Sequence, residues 1–193
     1  MVGSPFEHRH YEIRKQVLKL FGGKFRVYDQ TGTLVLFANM KAFKLKEDIR
    51  LYSDESMSQE LVTIKARSII DWSAAYDVVD SQTQQKLGAL KRKGWSSMIR
   101  DSWVIMDPMD NEVGFIQEDS TLLALLRRFL TNLIPQKFHG FVGQRPVFTF
   151  HQHFNPFAMR YSLDFSEDSF GDLDRRLGIV AAVLLCAIEG RQE

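Results

Sequence analysis

The chain has one cysteine, Cys186, so no intrachain disulfide can form and its stability must come from packing. Charge of either sign is hardly in excess: 25 Lys and Arg face 24 Asp and Glu, a formal net charge of +1. That balance lacks the basic surplus by which duplex-DNA binders neutralise phosphate, so duplex nucleic acid is not an expected partner and any basic site must be local. The opening MVGSPFEHRHYE has no apolar stretch of the secretory kind, and the expected compartment is the cytoplasm. No apolar run is long enough to be a confident membrane span. The longest, Leu177 to Ile188, is about 12 residues and reaches about 18 Å as a helix, against a hydrocarbon core of about 30 Å. Gly-x-Gly-x-x-Gly, P-loop, Gly-x-Ser-x-Gly and His-Glu-x-x-His motifs are all missing, and the carboxylates are scattered too evenly to single out an acid/base pair. These absences favour a binding module over an enzyme. Five prolines and 12 glycines are set against 15 phenylalanines, with Val, Ile, Thr and Tyr spread through most of the chain, a balance that favours strands.

A repeat fills the first two thirds of the chain. Phe25-Arg-Val-Tyr-Asp-Gln-Thr-Gly-Thr-Leu-Val-Leu-Phe-Ala and Trp103-Val-Ile-Met-Asp-Pro-Met-Asp-Asn-Glu-Val-Gly-Phe-Ile share a form: an apolar run, an Asp, a polar turn, a second apolar run. Ile49 to Lys65 and Tyr76 to Lys91 repeat it, at offsets of roughly 24 to 27 residues, the size of a hairpin with its connection. Asp and Asn accept local backbone hydrogen bonds, and Gly32 can take positive φ, so each unit reads as a β-hairpin. Alternation supplies the faces. Phe43 and Leu45 oppose Lys44 and Lys46, and Val62, Ile64 and Ala66 oppose Lys65 and Arg67, giving strands with one dry and one wet side. Tyr11 to Leu20 reads as the strand before the first repeat, with a short helix as the alternative, and Val147 to Phe154 with Phe157 to Phe165 as a further hairpin turning at Asn155-Pro156.

Two helices interrupt this pattern. Thr121 to Ile134 places Leu122, Leu125, Leu126, Phe129 and Leu133 on one face and stops at Pro135, so residues 119–135 read as an inserted amphipathic helix. Its apolar face packs on the domain itself, across a barrel end, or lies in a membrane interface. From Leu177 to Ile188 every position is apolar, with Asp172 and Asp174 as capping candidates and Gly190 as a stop. A helix apolar all round must be buried on every side. A wide antiparallel barrel with residues 172–189 along its axis satisfies both the strands and the helix. The expected organisation is a tail over 1–10 and a single barrel domain over 11–191.

The hairpin cores Phe25-Arg-Val-Tyr-Asp, Trp103-Val-Ile-Met-Asp-Pro and Glu112-Val-Gly-Phe-Ile, with the ending Asp172 to Glu189, resemble the tubby C-terminal-like superfamily. Within it the chain is similar to the LURP-one-related proteins and the phospholipid scramblases. The resemblance runs from about Tyr11 to Glu189 and implies a closed barrel of about twelve strands threaded by the terminal helix. It also implies a lipid connection: tubby-like domains bind phosphoinositide head groups through basic residues, and scramblases are associated with calcium-dependent lipid movement.

Lys86, Lys91, Arg92 and Lys93 form the densest basic cluster, and Lys44, Lys46, Lys65 and Arg67 take outward positions on neighbouring repeats. On adjacent strands they could hold phosphates by charge-assisted hydrogen bonds; left apart, they are a solvated strand face. Asp164, Glu167 and Asp168 precede the terminal helix where scramblases carry an acidic segment assigned to calcium. The spacing excludes an EF-hand loop, since the sixth and twelfth positions from Asp164 are Ser169 and Arg175, so these acids form a looser calcium site or cap the helix. His151 and His153 share one side of a strand and could ligate a metal together, given a third partner. The expectation is a non-enzymatic module that docks reversibly on anionic phospholipid head groups, peripheral at the inner membrane face, with calcium the one candidate ion. The alternatives are a scramblase-like, calcium-responsive lipid-handling protein and a metal-dependent barrel enzyme using His151 and His153.

Overall fold

What repeats physically in the four sequence copies is a turn built on an aspartate. The structure, a computed structural model, describes residues 3–15, 23–40, 48–67, 75–93, 102–119, 136–153 and 159–189. In order come β1 (His10–Lys15), β2 (Gly23–Asp29), β3 (Leu34–Met40), β4 (Asp48–Tyr52), β5 (Glu60–Ala66), β6 (Ala75–Asp80), β7 (Lys86–Arg92), β8 (Ser102–Met106), β9 (Glu112–Glu118), β10 (Lys137–Val142), β11 (Arg145–His153), β12 (Met159–Asp164) and helix α1 (Arg175–Glu189). The copies coincide with the hairpins β2/β3, β4/β5, β6/β7 and β8/β9. Asp29 accepts the N–H groups of Thr31 and Thr33 at 2.8 and 2.9 Å, Asp80 those of Gln82 and Thr83 at 2.9 Å, and Asp107 those of Met109 and Asn111 at 2.8 and 2.9 Å. Asp54 does the same for Ser56 at 2.8 Å. A left-handed residue then closes each turn: Gly32 (φ 81°), Met57 (57°), Gln84 (59°) and Asp110 (69°). Each of these hairpins also carries a register shift beside its turn, as at Val27/Tyr28 and Ile105/Met106, and such bulges add the twist that closes a sheet.

Hydrogen bonds from turn hydroxyls, amides and N–H groups hold the carboxyls of Asp29, Asp54, Asp80 and Asp107 below their ordinary value. A carboxyl lowered on folding contributes stability that is full above its unfolded value, about pH 4, and is lost as the pH falls through its folded value. Asn accepts the same N–H bonds without titrating. The Asp80→Asn/Asp107→Asn double variant is therefore expected to lose stability less steeply than the parent between about pH 4.5 and pH 2.5, read as the urea midpoint; parallel curves would contradict this.

Every strand pairs antiparallel with its sequence neighbours, and β1 pairs with β12 from His10↔Asp164 to Lys15↔Met159, so the barrel is closed. Each strand sends apolar side chains into one core: Ile13, Phe25, Val62, Phe138, Phe150 and Leu163 are all within 1% of full burial. The residues of α1 from Leu177 through Ala187 belong to that core, and none of those in it is more than 5% exposed on any helix face. The helix is the filling of the lumen. Full burial of each Val, Leu or Ile is worth about 1.5–3 kcal/mol, which is why no polar residue interrupts the run. Asp174 starts the helix, accepting the N–H of Arg176 at 2.9 Å. Arg176 reaches Asp80 at 2.7 Å, and Arg175 donates to the His8 carbonyl at 2.7 Å and lies over the Phe165 ring. Residues 3–9, expected as a tail, are tied in here as well, with the Tyr11 hydroxyl donating to the Pro5 carbonyl and Phe165 N–H to the Arg9 carbonyl. Burial pushes the Cys186 thiol far above its usual value, consistent with an inert side chain.

The barrel has two unlike ends. At one, the turn end, lie the aspartate turns and the start of α1. At the other, the connection end, the odd-numbered strands end, and Lys15 donates to the Cys186 carbonyl late in α1 at 3.3 Å. The expected β11 and β12 are present with slightly different bounds, and the strand expected from Tyr11 begins at His10. One strand was not foreseen: β10, which pairs with β9 and forms a hairpin with β11 through Gly143 (φ 58°). The expected helix from Thr121 to Ile134 and the alternating stretch from Lys41 to Lys46 lie outside the described residues. Among the described residues no helix is long and apolar enough to cross a membrane.

Candidate functional site on the basic wall

Strands β5, β6 and β7 are neighbours, so the outward positions of the second and third repeats meet on one wall. Register places Lys65 between Asp48 and Asp77, and Lys91 beside Ala75 on one side and Val104 on the other. The expected basic residues divide into two sets. Arg67 donates through Nη2 to Asp77 Oδ1 at 2.6 Å and also to Asp110, while Lys86 Nζ lies 2.6 Å from Asp110 Oδ1 and 3.3 Å from Asp77 Oδ1. Hydrogen bonds to Asp77 and then Asp110 push the Arg67 guanidinium well above its usual value, and Lys86 and then Arg67 hold the Asp110 carboxyl below its own. Two cations and two anions thus form a locally neutral cluster. Beside it, on the outer face, Ala89, Val104 and Met106 make a small apolar cluster separate from the lumen.

Lys65, Lys91 and Lys93 are the other set, and among the described residues they have no ion-pair partner. Lys65 and Lys93 are exposed, Lys91 half-buried. Arg92 stands apart: it follows Leu90 by two positions, opposite Trp103, so alternation places it on the other side of β7 from Lys91. Lys44 and Lys46 lie outside the described residues. The sequence reading missed Lys24, an exposed residue of β2 near the connection end whose charge acts on Glu55, because it sits outside any run of basic residues.

The carboxylates before α1 have separate tasks. Asp164 accepts Ser166 N–H at 2.8 Å and lies 3.2 Å from His10 Nδ1, and Glu167 is exposed. Asp168 is only 7% exposed, its oxygens facing the N–H groups of Asp172 at 2.8 Å and Leu173 at 3.4 Å. Asp172 in turn holds Arg145 at 2.8 Å. His151 and His153 do share a side, with ring centroids 4.7 Å apart; His153 Nε2 meets the Ser162 hydroxyl at 3.0 Å, and burial first, then the charges of His153 and Lys137, lowers His151 below its usual value. Among the described residues no three His, Cys, Asp or Glu side chains come together to hold a metal ion.

The wall, the turns and the lumen helix all fall within one stretch of sequence similarity. The family described as LURP-one-related matches residues 34–180, from the start of β3 to Val180 in α1. No curated protein matches the chain. The match takes in ten of the strands and the first turns of the helix that fills them, and the chain belongs to the LURP-one-related family, with a barrel of the tubby-like kind.

Proposed function

We propose that this protein is a non-enzymatic binding module that docks reversibly on anionic phospholipid head groups, acting in the cytoplasm as a peripheral protein of the inner membrane face. One observation carries the reading: among the described residues Lys65 on β5, and Lys91 and Lys93 at the end of β7, have no ion-pair partner, while Arg67 and Lys86 on the same wall are already neutralised. Ammonium groups held on a rigid sheet lose little freedom on meeting a phosphate, and unpaired ones give up no ion pair to do so. The family assignment is compatible with this reading, since the closed barrel holds these outward lysines on a rigid sheet.

Each lysine near an anionic surface contributes about 1 kcal/mol, so the Lys65→Gln/Lys91→Gln/Lys93→Gln variant is expected to partition about a hundredfold more weakly onto phosphatidylserine-containing vesicles. The side chains lie on the outside of the barrel, so the variant keeps its fold, which circular dichroism checks. Undiminished binding by a folded variant would overturn this assignment of the surface.

A further inference from the structure

We propose that a row of arginines on the wall opposite the lysines is a docking site for an acidic protein segment, gripped through its carboxylates. Ile13, Phe25, Val27, Tyr161 and Leu163 belong to the lumen core, so Arg14, Arg26 and Arg160, one position away from them, point outward. Register sets the three side by side: Arg14 is opposite Arg160 on β12 and opposite Arg26 on β2. His153 continues the row on β11, opposite Arg160. Like charges directly opposite one another on strands about 4.8 Å apart destabilise a sheet. Folding alone gives no reason to keep three guanidinium groups in line, whereas an anionic ligand that bridges them does.

The carboxylates beside the row leave part of it open. Glu12 accepts Arg14 Nε at 2.6 Å but lies 4.0 Å from Arg160 Nη1, too far for a hydrogen bond. The hydrogen bond from Arg14, then the charges of Arg14, Arg160 and His153, hold the Glu12 carboxyl below its ordinary value, so one carboxylate serves several cations. Glu55 is bound to Arg26, and Lys24, two positions along the same side of β2, also acts on it. Asp54, next to Glu55, accepts from Ser53 and Ser56. Asp164 is four residues along β12 from Arg160, about 13 Å at the strand rise and beyond the screening length of about 8–10 Å. Arg160, 47% exposed, is the least engaged of the three arginines.

The chain itself shows what one end of the row takes. Arg26 holds Glu55 by two parallel bonds, Nε to Oε1 at 2.5 Å and Nη2 to Oε2 at 3.0 Å. Glu55 belongs to the β4/β5 turn, so the contact crosses the outer face of β3 at Phe37, which is opposite Arg26 on one side and Tyr52 on the other. Phe37 is 1% exposed although it lies outside the lumen core, and the Asn39 amide donates to Met57 Sδ of the same turn at 3.4 Å. An acidic turn thus lies on the Arg26 end and is held by its carboxylate. At the other end the Tyr28 ring, 4.3 Å from the Arg14 guanidinium carbon, fixes the plane of that group. Only Nε of Arg14 is spent on Glu12, which leaves its Nη pair and the Arg160 fork for further carboxylates. A bilayer does not fit as the occupant when the lysines are docked. β1 and β7 are six strands apart either way round the ring, so the row faces away from Lys91.

The probe is a fluorescein-labelled octapeptide of alternating Glu and Ser, with Gln replacing Glu in its neutral control, titrated with the whole chain and read by anisotropy at low salt. Wild-type protein is expected to bind the glutamate peptide and not the control. The Arg14→Gln/Arg160→Gln variant, its fold checked by circular dichroism, should bind about tenfold more weakly. Glu12→Gln should bind more tightly, because the carboxylate shared by the two arginines no longer competes. The Lys65→Gln/Lys91→Gln/Lys93→Gln variant should bind as wild type, which separates this site from the docking wall. No binding by wild type, or equal binding by the arginine variant, would overturn the row as a site. Sedimentation of the lysine variant with phosphatidylserine vesicles, lost when Arg14→Gln/Arg160→Gln is added, would show that the row reads lipid and would overturn the peptide assignment.

Discussion

Val183→Asp is expected to abolish the folded state. Val183 lies in the middle of α1 with no exposure, and Val180, Ala182, Leu184 and Cys186 around it are equally closed off, so an aspartate there meets neither water nor a cation. An uncompensated buried charge costs several kcal/mol, on the order of 3–5 when measured as a broken pair, which is a large part of the roughly 5–15 kcal/mol that holds an ordinary domain together. Val183→Ala removes the same packing without the charge and should leave a folded protein, weakened by about 1–3 kcal/mol. Urea unfolding followed by circular dichroism separates the two. An aspartate variant that still unfolds cooperatively near the parent midpoint would mean that the helix does not fill the lumen.

Gly88→Ala carries the second large effect, for a different reason. Gly88 sits in β7 at φ 155°, and a Cβ there would lie 2.4 Å from the Met106 carbonyl oxygen of β8 and 3.0 Å from a methyl of Leu177 in α1. The strand passes close to its neighbour and to the helix because nothing projects from it. Backbone strain and overpacking together are expected to cost about 2–4 kcal/mol. Leu177→Ala relieves only the side-chain part of the clash, so the Gly88→Ala/Leu177→Ala double variant should remain less stable than Leu177→Ala alone. Full rescue in the double variant would show that the carbonyl contact does not matter.

Much of the fold was legible because its signals are local. The aspartate turns act over two to four residues, and the sequence repeat marks them directly. The all-apolar stretch from Leu177 required a buried helix before any strand pairing was known. By contrast β10 went unseen: its inward position at Gly140 has no side chain, leaving Phe148 to fill that space, so the expected apolar alternation is broken. Closure through β1 and β12 joins chain segments about 150 residues apart, and nothing in either strand names the other. The site followed the same division. Alternation correctly turned Lys65 and Arg67 outward, yet it could not foresee that Arg67 would be captured by Asp110, 43 residues away. Lys91-Arg92-Lys93 read as one cluster, although strand geometry puts Arg92 on the opposite side from its neighbours.

Co-sedimentation with vesicles of phosphatidylcholine alone and with added phosphatidylserine, each at low and raised salt, tests lipid docking most directly. The lysines are exposed or half-buried, so their attraction to the surface is screened beyond about 8–10 Å at physiological ionic strength. The expected result is binding to the anionic vesicles only, falling as salt is raised. Binding that is equal on neutral vesicles, or that does not change with salt, would contradict head-group docking through these lysines.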